Sequence, residues 1–203
     1  MTQGAPAALD DPATHTEAEL VAAVIDGDSQ AFAMLIKPHL GLIYRVTTRA
    51  TGNLALAEDA MQETLAIVHR RLFRYRPGTS FKGFVAAIAV KRARTLLRSE
   101  ARRRRREELA SPGETPPTPA DLAAANETAR AIARALNAMP RKRQEVLLLR
   151  LDGGLGYDEI AQATDTTEGS ARVLVHLGLR ELKATLAPHL ETERGDPDPG
   201  ERR

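Results

Sequence analysis

Near the middle of the chain, SPGETPPTPAD at 111 to 121 holds four of its 12 prolines and almost no apolar side chain. A segment like this cannot continue a helix or join a packed core, because proline removes a backbone donor and there is too little surface to bury. It therefore reads as a linker and divides the 203 residues into two units. On either side of it, apolar residues recur at helical spacing, from about Glu17 to Arg106 and from about Leu122 to Leu190, without convincing period-two alternation.

The expected fold is all-α, two small helical domains joined by a Pro-rich linker, the second a helix-turn-helix four-helix domain. The boundaries predicted are an unstructured N-terminus over 1–16, a first domain over 17–106, a linker over 107–122, a second domain over 123–190 and an unstructured tail over 191–203. Within the first domain, Pro77 and Gly78 break the pattern and predict a loop around RYRPGTS.

With 29 basic against 27 acidic residues, the net charge of +2 says little, so any affinity for nucleic acid must come from where the charges lie. They are segregated. In LAEDAMQETLAIVHRRL the residues Ala57, Ala60, Met61, Thr64, Leu65, Val68 and Leu72 share one helical face, while Glu58, Asp59, Gln62 and Glu63 line another. That acidic-polar stripe suits either solvent or a basic partner helix.

The following helical pattern, FKGFVAAIAVKRARTLLRSEARRRRR, carries Lys91, Arg92, Arg94 and Arg98 before five consecutive arginines at 102 to 106. Such density points to a polyanion, since each neutralised phosphate releases counterions. Just before it, Phe73, Tyr75 and Phe81 alternate with Arg74, Arg76 and Lys82, with Thr79 and Ser80 as small hydrogen-bonding groups. Rings interleaved with cations suit unpaired nucleotides, which stack while the cations follow the backbone. Phe84 and Phe81 read instead as core.

ALNAMPRKRQEVLLLRLDGGLGYDEIAQATDTTEGSARVLVHLGLREL divides into a helix ending near Leu151, a Gly-rich turn, a short helix from about Tyr157 to Ala163, a tight turn and a longer helix from Glu168. This is helix-turn-helix organisation. No Walker loop, nucleophile elbow or zinc-spaced histidine pair occurs, so no catalytic residue, metal or cofactor is expected. The lack of cysteine excludes disulfides and thiolate chemistry. Without a signal peptide or a run of roughly 20 apolar residues, the expected protein is cytoplasmic, with no membrane insertion.

Taken together, GDSQAF at 27 to 32, AEDAMQETL at 57 to 65, FRYRPGTSFKGFVAAIA at 73 to 89 and MPRKRQEVLLLRLDGGLGYDEIA at 139 to 161 resemble a bacterial sigma-70 family factor of the extracytoplasmic-function group, over nearly all of residues 17 to 187. The resemblance implies partners and roles. Glu58, Asp59, Gln62 and Glu63 would dock on the coiled coil of the RNA polymerase beta-prime subunit. Arg74, Tyr75, Arg76, Thr79, Ser80, Lys82, Lys91, Arg92, Arg94 and Arg98 would capture and hold the melted minus-10 element. The second domain would bind the beta flap and place Thr167, Ser170, Arg172, His176 and Arg180 at the minus-35 element. The family's usual further partner is an anti-sigma factor.

The chain departs from the family where the recognition helix begins. The usual Glu-Gly-Thr-Val-Lys-Ser-Arg-Leu-His-Arg-Ala is here EGSARVLVHLG, with Leu174 and Leu177 at two basic positions. Helical spacing puts Ala171, Val175, Leu179 and Leu182 inward, leaving Val173, Leu174 and Leu177 outward as a patch for protein. An anti-sigma factor or the first domain folding back would cover it; otherwise these residues pack on the first helices of the second domain. Thr164, Asp165 and Thr166 replace the common Leu-Gly-Ile turn, with Asp a tolerated left-handed residue. His69 and Phe84 stand where the family often has tryptophan.

Three functions compete on this reading. The first is a sigma factor that binds core polymerase and starts transcription at its own promoters. The second is a divergent sigma-like regulator acting mainly through protein contacts with weak or absent minus-35 reading. The third, a DNA-binding repressor without polymerase contact, is disfavoured by the acidic stripe.

Overall fold

The computed structural model describes residues 15–110 and 125–194. Most of the expected N-terminal arm, linker and tail lies outside them. Every regular element among the described residues is helical: α1 Glu17–Ile25, α2 Ser29–Ile36, α3 Leu40–Thr51, α4 Leu54–Arg71, α5 Phe81–Ala110, α6 Ala125–Ala138, α7 Arg141–Leu151, α8 Tyr157–Thr164 and α9 Glu168–Arg194. Short 3-10 turns cover Lys37–His39 and Leu72–Arg74.

Short polar side chains set where the helices start. Thr16 and Glu19 form a reciprocal capping box on α1, with the Glu19 carboxylate 2.8 Å from the Thr16 N–H. Asp28 accepts from the N–H groups of Gln30 and Ala31, Asn53 from Leu56, and Ser80 from Gly83. α3 stops at Gly52, whose φ of +62° is open to glycine at no steric cost; a Cβ there would also come 2.6 Å from that of Ala133 on α6.

α5 runs past the expected limit at 106 as far as Ala110. Arg103 and Arg104 pair with Glu100, and Arg103 also with Glu107, all at the three- and four-residue spacing that supports a helix in solvent. α9 likewise reaches Arg194.

α3, α4 and α5 pack on one another to form the first domain, with α1 and α2 against its end. In the second, α9 lies across α6, α7 and α8. The two are not separate bodies. α5 meets α7 and α8, α3 meets α6 and α7, and one continuous apolar core runs through both. Leu155, in the turn after α7, is fully buried and comes 3.4 Å from where a Cβ on Gly83 of α5 would lie.

The helix-turn-helix falls where the sequence placed it. Asp165 takes φ +52°, and the N–H of Thr166 closes the turn on the Ala161 carbonyl at 3.0 Å. Lys142 reaches the Thr164 carbonyl at the end of α8.

Candidate nucleic-acid interface

Both the acidic stripe and the basic loop emerge from the first domain. On α4, Glu58, Asp59 and Gln62 are exposed on a face whose opposite side buries Ala57, Ala60, Thr64 and Val68. Glu63 is half-buried and forms an ion pair with Arg92 of α5, so the third acidic residue of the stripe is engaged by a basic residue that the resemblance had assigned to DNA.

The loop between the 3-10 turn and α5 exposes Arg74, Arg76 and Thr79, while Phe73 is 67% exposed with the Arg74 guanidinium 5.4 Å from its ring. Tyr75 departs from the expectation: its ring is buried against Phe81 and Phe84. Its hydroxyl lies 2.5 Å from Glu17 Oε1 and 2.6 Å from the Thr79 carbonyl. Burial, and then the Glu17 carboxylate, push the phenol up to about 12. Tyr75 therefore fixes the shape of the loop, and Phe73 is its free aromatic ring. Alternation of rings and cations cannot tell the two apart, because the partner that holds the Tyr75 hydroxyl, Glu17, lies 58 residues away.

Across the loop stands the second domain. A cavity of about 490 Å³ lies between them, with Arg71, Arg74, Arg76 and Lys91 on the first-domain side and Glu159 and Gln162 on the other. Ser80 and Lys82 are half-buried here. Arg94 is buried, and its burial, followed by Arg98 and Arg141 nearby, pushes the guanidinium pKa down. Arg98 and the arginines from 102 to 106 are exposed along the outer half of α5.

On α9, Thr167, Ser170, Arg172, His176 and Arg180 are all exposed. Thr167 acts as the cap, accepting from the Ser170 N–H at 3.2 Å. Arg172 is bound to Glu168 at 2.6 Å.

The expected outward apolar trio is divided. Val173 is 58% exposed, Leu177 is half-buried, and Leu174 packs against the core. Leu179, expected inward, is instead 42% exposed. The seam of α9 runs through Ala171, Val175 and Gly178, whose missing side chain lets Leu147 of α7 come within 3.1 Å of its Cβ position. That contact rotates the buried face toward Leu174 and away from Leu179. The first domain packs on α6, α7 and α8.

Among the described residues no cluster of His, Asp or Glu could hold a metal ion, and no helix is long and apolar enough to cross a membrane.

Comparison with known proteins agrees with this arrangement. Residues 35–103 match the family model for sigma-70 region 2, and residues 129–182 that for sigma-70 region 4. The RNA polymerase sigma factor CarQ of Myxococcus xanthus is 31% identical over 171 residues, covering 83% of this chain and 95% of CarQ. The ECF RNA polymerase sigma factor ShbA of Streptomyces griseus is 31% identical over 186 residues, covering 86% and 97%. Among solved structures, CnrH in complex with the cytosolic domain of CnrY shares the fold with a TM-score of 0.63 at 18% identity, over 83% of this chain and 96% of that one.

Proposed function

The chain belongs to the sigma-70 family, in its extracytoplasmic-function group, and we infer that it binds core RNA polymerase and directs initiation at promoters of its own. The observation that carries this is the order of surfaces along one chain. An exposed acidic stripe on α4 is followed by a basic loop and helix, and then by an exposed, capped helix of a helix-turn-helix. A repressor needs only the last two.

In this reading Glu58, Asp59 and Gln62 meet the beta-prime coiled coil. Arg74, Arg76 and Thr79, with Phe73 as the stacking ring, take the unpaired minus-10 strand. Arg98 and the arginines beyond it track phosphate. Thr167, Ser170, Arg172, His176 and Arg180 face the minus-35 element, and the second domain as a whole contacts the beta flap. RNA synthesis is the polymerase's chemistry, and this chain supplies recognition alone, in the cytoplasm. An anti-sigma factor is its natural restraint, as the sigma factor RpoE of Bartonella quintana, which shares the fold with a TM-score of 0.55 at 20% identity, is found in complex with the anti-sigma factor NepR.

One observation favours the second reading, of a regulator that reads minus-35 DNA weakly: Leu174 and Leu177 remove two basic positions, and Val173 is exposed beside them. Run-off transcription with purified core polymerase separates the possibilities. Promoter-specific transcripts support the sigma factor, core binding without transcripts supports the regulator, and duplex binding without core binding sinks both.

A further inference from the structure

A second cavity, of about 870 Å³, lies where α6 runs beside the turn between α3 and α4 and the outer half of α5. It shares no lining residue with the cavity at the basic loop. Gly52, Asn53 and the start of α4 form its floor. Leu97, Glu100, Ala101 and Arg104 of α5 form one side, and Arg130, Ala133, Arg134 and Asn137 of α6 the other. Both sides repeat at spacings of three and four residues, so each is one stripe of its helix. Asn137 donates to the Ala50 carbonyl at 3.1 Å, and Gly52 lets Ala133 come close, so the fold itself sets the width of the cleft.

Helical geometry splits the arginines of α5. At about 100° per residue, Lys91, Arg94, Arg98, Arg102 and Arg105 share one stripe, and the stripe of Leu97 and Arg104 lies roughly 110° around the helix. Arg104 is therefore turned to the cleft, away from the surface that reads as phosphate-tracking. Glu100 pairs with Arg104 at 3.0 Å, and hydrogen bonds from Arg103 and Arg104 hold its carboxyl below the usual range. Arg130 and Arg134 form no ion pair among the described residues. Three guanidiniums thus face one carboxylate. The N–H groups of Leu54 and Ala55, the first of α4, have no intrahelical partner and open on the same space.

We propose that this cleft binds a free nucleoside polyphosphate. Its phosphates meet Arg104, Arg130, Arg134 and the start of α4. Its base enters the gap left between the helices by the small side chains of Ala101 and Ala133, against Leu54 and Leu97. Pockets for such ligands span about 300–1,000 Å³ and combine an apolar lining with a few placed polar groups. A duplex is too wide for the cleft, and inorganic polyphosphate leaves its apolar part wet. Leu54 begins α4 one turn before Glu58, so a bound polyphosphate adds negative charge beside the acidic stripe. Nothing in this site depends on promoter recognition.

Isothermal titration calorimetry of the full chain with ATP and with GTP, in EDTA, tests the site. At least one should bind about tenfold tighter than tripolyphosphate and than its own nucleoside, because only the nucleotide uses both parts of the cleft. R134Q, at an exposed position, should weaken nucleotide binding roughly tenfold through loss of one charge-assisted contact. A101L, also at an exposed position, fills the gap and should remove the preference over tripolyphosphate, whose own affinity should hold within about twofold. R105Q, on the other stripe, should change nucleotide affinity by less than about twofold. No binding, equal affinities for nucleotide and tripolyphosphate, or equal losses in R105Q and R134Q overturn the proposal, the last two because they describe exchange at any basic surface. A nucleotide that displaces a labelled promoter single strand, together with loss of that strand in R134Q, also overturns it, since the phosphate then comes from nucleic acid. Should R134Q melt below the parent chain, the contrast between nucleotide and tripolyphosphate in A101L decides alone.

Discussion

The guanidinium of Arg172 stands 4.7 Å from the centroid of the Tyr157 ring, which joins the recognition helix to the start of α8. Arg150 of α7 lies at the same 4.7 Å from that ring and is itself held to the Leu155 carbonyl at 2.7 Å. With Glu168 on its other side, Arg172 is exposed yet oriented before any DNA arrives. A bidentate arginine discriminates one base pair by roughly 1–3 kcal/mol, and the exposed cation–π platform contributes about 0.5–1 kcal/mol. Arg172→Ala should therefore relax selection at one minus-35 base pair. Tyr157→Leu should do so by about two- to fivefold at the same pair, and Tyr157→Phe should leave it intact. Competition between duplexes differing at single base pairs measures this; a uniform loss across all positions would assign Arg172 to phosphate.

The divided apolar patch on α9 gives a contrast within one turn of helix. Leu174 packs against the core, so Leu174→Ala should cost about 2 kcal/mol in urea unfolding, at the low end for a leucine truncation because the site is only half-buried. Val173, exposed to solvent, should change stability by less than about 0.5 kcal/mol on conversion to alanine. Any effect of Val173→Ala on binding an anti-sigma factor then reports contact and not folding. Equal costs at the two positions would show that the patch is buried as a unit.

The same helix shows what sequence can and cannot resolve. Its start at Glu168 and the left-handed Asp165 before it are local, and local chemistry predicted them. Which side faces in was misjudged by about one residue, because Gly178 admits Leu147 and turns the seam toward Leu174. Tyr75 was misplaced for a related reason: its ring packs on Phe81 and Phe84 while its hydroxyl is held by Glu17 of α1. The domain closure was not legible at all. Glu145, Asp152 and Glu159 look like ordinary acids in and beside helices until the fold sets Lys91, Arg49 and Ser80 opposite them.

The buried phenol of Tyr75 should be visible in an alkaline titration. Its folded value is raised to about 12 from the ordinary 10.0, so the unfolded chain gives up this proton first. The stabilisation this group confers is therefore complete below pH 10 and is lost as pH rises through about 12. Tyr75→Phe should remove one component titrating near 12 from the ultraviolet difference spectrum. Glu17→Gln should move that component down, because the Glu17 carboxylate both accepts from the phenol and opposes its ionisation. Loss of a component near the ordinary 10.0 instead would mean that the hydroxyl is free in solution.

Asp165 is the only non-glycine residue at positive φ among the described residues, and it holds the turn that aims α9. A left-handed residue with a Cβ costs about 1 kcal/mol, somewhat less for aspartate, whose short polar chain tolerates the region. Glycine removes that cost but adds freedom to the unfolded chain. Asp165→Gly should therefore raise stability by only about 0.5 kcal/mol, roughly 1–2 °C in Tm for a chain of this size. Asp165→Val should lower stability by more than about 1 kcal/mol, since a β-branched chain fits this region worst. Neither substitution touches the DNA-facing side chains, so duplex affinity at a temperature where both variants are folded should hold within about twofold. If Asp165→Gly melts lower than the parent chain, the aspartate side chain contributes more to the turn than its backbone conformation costs.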